Sequence, residues 1–162
     1  MRVTVLHPSL NMAGGSERVC LTMIGALRRG GYKVKLATVE ESNWSLLEKV
    51  FGNVSKPHEE DFLLKQFPVK SARSKVSLTF LFLFKLLQSK LEDGKDVIMN
   101  TCGSLIDAVA DISYVGAVPV RTIYYYPQSG YSNSTSLKLF ANVYNAHIQC
   151  LQKVFGDNIL LV

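Results

Sequence analysis

The chain has 162 residues, 48% of them hydrophobic and 19% charged, which suits one globular domain with a core that needs no disulfides. Its formal net charge is +5, and the Lys and Arg residues are spread along the sequence apart from a group at Lys65, Lys70, Arg73 and Lys75. A solvated face is the simpler interpretation of that group, a patch that faces phosphate or a membrane stays open, and no nucleic-acid partner is expected. The three cysteines are widely spaced, and the short apolar start resembles a strand more than a signal peptide. These features predict a cytoplasmic protein with free thiols.

The first forty residues predict a βαβ unit. Residues 3–7 form a short β-branched run typical of a buried strand, and a turn-rich stretch follows it as far as Gly14 and Gly15. Ser16 is the predicted N-cap of a helix that ends at the next glycine pair, and residues 34–39 predict a second strand. This order implies a parallel sheet.

The same alternation continues to the end of the chain. The predicted elements are a helix at 44–51, a strand within 62–69, helices at 78–91 and 105–112, strands at 97–99 and 120–126, a helix at 137–155 and a strand from 159. Residues 59–61 are acidic and are predicted to lie in a surface loop. The predicted fold class is a three-layer α/β sandwich, with a mainly parallel sheet between helices.

Gly14 and Gly15 are the first candidate for chemistry. A glycine pair before a helix allows backbone N–H groups to approach an anion, although a tight turn alone would also require glycine. Neither G-x-G-x-x-G nor a Gly-Lys-Ser/Thr sequence is present, which disfavours a dehydrogenase or an NTPase. His58 beside the acidic run is more typical of a solvated histidine than of a metal ligand, so no metal is expected.

Residues 7–19, HPSLNMAGGSERV, resemble the N-terminal loop of family 4 glycosyltransferases of the GT-B fold, which carry G-G-x-E-R after their first strand. The longer pattern is similar to that of the Alg11-like mannosyltransferase group. DVIMNTCG at 96–103 and IYYYP at 123–127 resemble that group's D-x-x-x-D-T-x-G and H-Y-P sequences. The chain departs from the group at Tyr125, which replaces the usual histidine, and at Asn100, which replaces a frequent aspartate.

The resemblance implies that residues 1–162 are the N-terminal, acceptor-side Rossmann-like domain, with the C-terminal donor-binding domain outside this chain. It implies transfer of a hexose, with mannose expected, from a nucleotide sugar to a lipid-linked or glycan acceptor. Configuration would be retained, without metal or other cofactor. The implied donor-phosphate-binding residues are Gly14, Gly15, Ser16, Glu17 and Arg18. The implied cleft-lining residues are His7, Asn11, Thr101, Gly103, Tyr125 and Tyr126, and no catalytic residue is assigned.

The apolar segment at residues 78–91 leaves two interpretations open. It is too short to span a bilayer, and a helix buried against the sheet is the simpler interpretation. The alternative is an interfacial helix with Lys85 and Lys90 at lipid head groups, which would suit a lipid-linked acceptor. Peripheral contact with the cytoplasmic face of a membrane therefore stays open.

A second function class is a flavodoxin-like or receiver-like module that binds a ligand or partner without turnover. A receiver needs an acidic pair at the end of its first strand, where this chain has His7 and Pro8. This counts against a receiver, and bound flavin would identify a flavodoxin-like module by its absorbance.

Overall fold

The computed structural model describes residues 1–67, 72–92, 96–101, 110–114 and Asn142. In chain order the elements are β1 (Arg2–Leu6), α1 (Gly15–Arg29), β2 (Lys33–Glu40), α2 (Trp44–Phe51), β3 (Glu59–Leu64), α3 (Ala72–Glu92), β4 (Val97–Asn100) and β5 (Ile112–Ser113). The βαβ unit and the next two helices are confirmed, as is the strand predicted at 97–99. The strands predicted at 120–126 and from 159, and most of the helix predicted at 137–155, lie outside the described residues.

The strands form a parallel sheet with the order β3-β2-β1-β4-β5. Leu6 at the end of β1 is in register with Ala37 of β2 and Asn100 of β4, so these strand ends meet at one edge. This order is that of the Rossmann fold, whereas flavodoxins and receivers have the order 2-1-3-4-5. The predicted Rossmann-like class is confirmed, and the described strands do not have the flavodoxin-like order.

Apolar side chains leave the sheet on both faces, because successive residues of a strand point to opposite sides. On one face Val3 and Val5 pack with Cys20 and Ile24 of α1 and with Leu47 of α2. On the other face, Leu6, Ala37, Val39 and Ile98 of the sheet pack against Leu78 and Phe82 of α3. The described part of the chain therefore has the three layers that the sequence predicts.

The acidic run at 59–61 is not the predicted surface loop, because it forms the first half of β3. Charged residues disfavour strands in general, but β3 is an edge strand of the described sheet, and charges are common on edge strands. Lys33 Nζ lies 2.7 Å from a carboxylate oxygen of Glu59. His58 extends the pairing, because its Nδ1 accepts a hydrogen bond from the Val34 N–H at 3.1 Å.

Two predicted helix boundaries are also wrong. Gly14, not Ser16, is the N-cap of α1, and the Gly14 N–H donates to Glu17 Oε2 at 2.7 Å. The Glu17 carboxylate, three residues after the N-cap, thus accepts the N-cap N–H and closes the first turn. The Ser16 hydroxyl does not cap the helix, and it donates to Glu17 Oε1 at 3.0 Å. Ile112, the predicted last residue of a helix, begins β5, which is defined by its pairing with β4.

Candidate functional site

The loop between β1 and α1 crosses the carboxyl edge of the sheet and presents Gly14 and Gly15 there. A turn closes with the Ala13 N–H donating to Leu10 O at 3.1 Å, and Ala13 has a left-handed φ of 49°. A Cβ added at Gly14 would lie 2.9 Å from Glu17 Oε2, so the carboxylate needs the space beside that glycine. A Cβ at Gly15 would meet no atom within 4 Å in the part of the chain that the structure describes. Packing within the described residues therefore does not require glycine at position 15.

The first turn of α1 carries free backbone donors at this edge. The leading N–H groups of a helix have no partner inside the helix, and the helix dipole makes that end positive. Glu17 takes up the Gly14 N–H, while the N–H groups of Gly15 and Ser16 have no acceptor among the residues that the structure describes. These two donors are suited to an anionic oxygen.

A chain of buried side chains lies beneath the loop. The Thr101 hydroxyl donates to Leu6 O at 2.9 Å, so its oxygen is left to accept a hydrogen bond from His7 Nδ1 at 3.0 Å. The other ring nitrogen, Nε2, faces Glu17 Oε1 at 3.5 Å. His7 and Thr101 are each 1% exposed and Glu17 is 6% exposed. The structure thus brings three predicted site residues into contact. Thr101 follows β4, His7 follows β1 and Glu17 lies in the first turn of α1, so their contacts connect these three elements.

The contact with His7 is one of the causes that lower the pKa of Glu17. Burial alone raises the pKa, but the hydrogen bonds from His7, from its own backbone and from Ser16, together with the charge of His7, outweigh burial and lower it to about 2. The ordinary value for this carboxyl is 4.5. The folded state therefore stabilises the charged carboxylate of Glu17 relative to the unfolded state.

Glu17→Gln is expected to lower the free energy of unfolding by about 3 kcal/mol at pH 7. Because the folded pKa of Glu17 is depressed, its contribution is fully present above pH 4.5 and is lost as the pH falls toward about 2. The difference between the wild type and the variant should therefore shrink on acidification. Urea unfolding at pH 7, 5 and 3 measures this difference.

Glu48→Gln is the matched control, because Glu48 is exposed on α2 and, within the described residues, its ion pair is with Lys56 at 2.8 Å. It should change the free energy of unfolding by less than about 1 kcal/mol at every pH. If Glu17→Gln and the wild type differed by the same amount at pH 7 and pH 3, Glu17 would not be the source of the acid sensitivity.

The other predicted site residues have different surroundings. Asn11 ties the β1–α1 loop to the segment after β2, since its Nδ2 donates to Glu41 O at 2.9 Å and its Oδ1 accepts from the Asn43 N–H at 2.7 Å. Arg18 is exposed on α1 and lines a separate shallow cleft of about 250 Å³ beside Ser55. Gly103, Tyr125 and Tyr126 lie outside the described residues.

A larger cleft, of about 570 Å³, opens where β2 and β3 end. Its lining includes Asn11 and Met12 of the first loop, Ser42 after β2, and Lys65 and Phe67 after β3. Apart from Asn11, none of these residues is identified by a motif in the sequence. The cleft is formed by three loops that are distant along the chain, and no local pattern encodes such a meeting.

Lys85 does not lie where the interfacial interpretation of α3 requires it. Its Nζ is 2.5 Å from Asp61 Oδ1, and the side chain is 1% exposed. Together with the packing of Leu78 and Phe82, this supports the helix as buried against the sheet. No helix in the described ranges is both long and apolar enough to cross a membrane. Within the same ranges, no group of three or more His, Cys, Asp and Glu side chains could hold a metal ion.

No protein-family model matches the chain, and no curated protein matches it significantly. Among solved structures, the chain is similar to WaaG, a glycosyltransferase involved in lipopolysaccharide biosynthesis, with a TM-score of 0.51 and 14% sequence identity. The similarity covers 99% of this chain and 38% of the WaaG chain. At this identity the similarity establishes the shared fold, and this chain spans well under half the length of that protein.

Proposed function

We propose that this chain is the N-terminal, acceptor-side half of a GT-B glycosyltransferase. The observation that carries the proposal is the place of Gly14 and Gly15, at the carboxyl end of β1 where β2 lies on one side and β4 on the other. Open α/β sheets bind ligands at this point, where the strand order reverses. The G-G-x-E-R resemblance and the fold shared with WaaG support a sugar-transfer function at this position.

The proposed reaction moves a hexose, with mannose expected, from a nucleotide sugar to a lipid-linked or glycan acceptor with retention of configuration. The bond between the sugar carbon and the diphosphate oxygen breaks, a bond from that carbon to an acceptor hydroxyl oxygen forms, and the leaving diphosphate takes up the hydroxyl proton. Negative charge grows on the leaving diphosphate, and the N–H groups of Gly15 and Ser16 would stabilise it. Glu17 would act as a positioning residue, because it holds the Gly14 N–H and faces His7.

The remainder of the donor site is proposed to lie in a second domain. This chain spans 38% of the WaaG chain, and its loop offers the donor a helix end and two backbone N–H groups. In the proposed enzyme, the second domain would bind the base, the ribose and most of the diphosphate.

The isolated chain is expected to bind GDP-mannose or UDP-sugars with a dissociation constant in the millimolar range at best, and to show no transferase activity. One contact between a charge and a helix end contributes about 0.3–2 kcal/mol, whereas millimolar binding requires about 4 kcal/mol. Calorimetry with a panel of nucleotide sugars measures this. A micromolar dissociation constant for any of them would mean that this domain has a donor site of its own, contrary to the acceptor-half assignment.

Sugar transfer itself is tested on a protein that carries both proposed domains. Incubation with the same nucleotide sugars and with lipid-linked or glycan acceptors should extend an acceptor by one hexose. Nucleotide-sugar binding by that protein without transfer to any acceptor class would contradict the proposed activity and leave the fold assignment unchanged.

A further inference from the structure

The 570 Å³ cleft is separate from the proposed donor loop, because it opens at the ends of β2 and β3. These two strands lie on one side of β1, whereas the strand order reverses between β1 and β4 on the other side. The volume is in the range of sites for small ligands, which is about 300–1,000 Å³. The cleft therefore has the size of a ligand site and a position of its own.

Hydrogen bonds between loops hold the cleft in shape. Glu40 is 5% exposed, and its carboxylate accepts from the Ser9 hydroxyl on one side and from the Phe67 N–H, at 2.7 Å, on the other. Asn11 joins the same first loop to Glu41 and Asn43. The first loop, the segment after β2 and the segment after β3 are thus connected through buried or half-buried side chains. These connections favour a preformed site.

Of the buried hydroxyl groups of Ser42, Ser89 and Ser113, which lack a hydrogen-bond partner within the described residues, that of Ser42 belongs to a residue that lines the cleft. The residue lines the cleft and is 5% exposed, and its hydroxyl has no hydrogen-bond partner within the described residues. Its backbone is held in place, because the Ser42 N–H donates to Glu60 Oε1 at 2.8 Å. Buried hydroxyl groups in native proteins are almost always paired, and an unpaired one is destabilising. Because Ser42 lines the cleft, a ligand bound there could supply the partner that this hydroxyl lacks.

The charges around the cleft define the chemistry of that ligand. Among the described lining residues, Glu40 and Glu41 are acidic and Lys65 is basic, so this part of the lining has a net negative charge that disfavours phosphate. Both oxygens of the Glu40 carboxylate already accept hydrogen bonds, which leaves a poor ligand for a cation. Lys65 and Gln66 offer donors and Glu41 offers acceptors, beside the apolar surfaces of Met12 and Phe67. This combination suits a neutral molecule with several hydroxyl groups and an apolar ring face.

We propose that this cleft binds a neutral sugar unit, and that the Ser42 hydroxyl is one of its hydrogen-bonding groups. The assignment of that sugar to the acceptor rests on the proposed function, whereas binding in the cleft does not. The cleft would then bind one sugar unit of the acceptor away from the β1–α1 loop and so orient the acceptor for reaction.

Binding is tested with methyl glycosides of mannose, glucose and N-acetylglucosamine, using backbone amide NMR shifts of this chain. At least one glycoside should shift the amide signals of Ser42, Asn11 and Phe67 with millimolar affinity, while inorganic phosphate should leave them unchanged. Absence of shifts with all three glycosides, or larger shifts at these amides with phosphate, would overturn the proposal.

Ser42→Ala separates a binding role from a structural role. It should weaken glycoside binding by at least about fivefold, since one hydrogen bond is lost. The melting temperature should stay the same or rise, because an unpaired buried hydroxyl is removed. Ser89→Ala is the matched control: Ser89 is also fully buried with an unpaired hydroxyl, but it lies on α3 away from the cleft. It should leave binding unchanged. Unaltered affinity or a lowered melting temperature in Ser42→Ala would contradict the assigned role.

The same variant distinguishes this proposal from the proposed activity. In a protein with both domains, Ser42→Ala should raise the KM for the acceptor at least about fivefold with little change in kcat. Transfer with an unchanged acceptor KM would refute the cleft assignment alone. Glycoside binding in the cleft without any transfer would refute the proposed activity alone.

Discussion

Gly15→Val is expected to reduce the turnover of an enzyme that carries this chain by at least about a hundredfold, as the loss of a transition-state donor does. The Cα–Cβ bonds of a helix tilt toward its N-terminus, so a valine at position 15 is expected to narrow the space at the first N–H groups of α1, where the diphosphate is proposed to bind. The fold should survive, because a Cβ there meets no atom of the described residues within 4 Å. Steady-state kinetics and the melting temperature of the same preparation measure the two effects.

Gly14→Ala is the matched control in the same loop. Its Cβ would lie 2.9 Å from Glu17 Oε2, so the carboxylate must move, and stability should fall together with activity. Of the two variants, only Gly15→Val should lower activity without lowering stability. A folded Gly15→Val enzyme with near-normal turnover would rule out diphosphate binding at this helix end.

Asp61→Asn is expected to lower the free energy of unfolding by about 3–5 kcal/mol, because it removes the charged partner of a buried ammonium group and leaves it the neutral Gln88 Oε1 at 3.4 Å. Lys85 Nζ is 2.5 Å from Asp61 Oδ1, and Lys35 Nζ is 3.1 Å from Oδ2. Burial raises the pKa of Asp61, but the hydrogen bonds from both lysines outweigh it and lower the pKa. Urea unfolding at pH 7 measures the loss.

Two further variants test this explanation. Adding Lys85→Met to Asp61→Asn removes the buried charge and should restore most of the lost stability, so the two changes are strongly non-additive. Glu59→Gln, in the exposed pair with Lys33 on the same strand, should cost less than about 1 kcal/mol. A double variant as unstable as Asp61→Asn would mean that the Asp61 carboxylate matters for a reason other than Lys85.

By itself, the sequence determined the elements whose patterns are local. The β-branched run of β1, the helical spacing of apolar residues in α1 and the glycines between them predict the βαβ unit and place Gly14 and Gly15 at the sheet edge. The same periodicity predicts α2, α3 and β4. Burial on one face of a helix or on both faces of a strand repeats every few residues, so it can be recognised without knowing the partner.

Only the tertiary structure decided the features that depend on distant partners. Glu59 and Asp61 form a strand because lysines of β2 and α3 neutralise them, and Lys85 is buried for the same reason. His7 and Thr101 are 94 residues apart in sequence, and their hydrogen bond forms only because β1 and β4 are neighbours. The 570 Å³ cleft that Ser42 lines likewise exists only because three loops meet there. Charge pairing and loop contacts over such separations leave no periodic trace in the sequence, because each partner is specified by the fold and not by its neighbours in the chain.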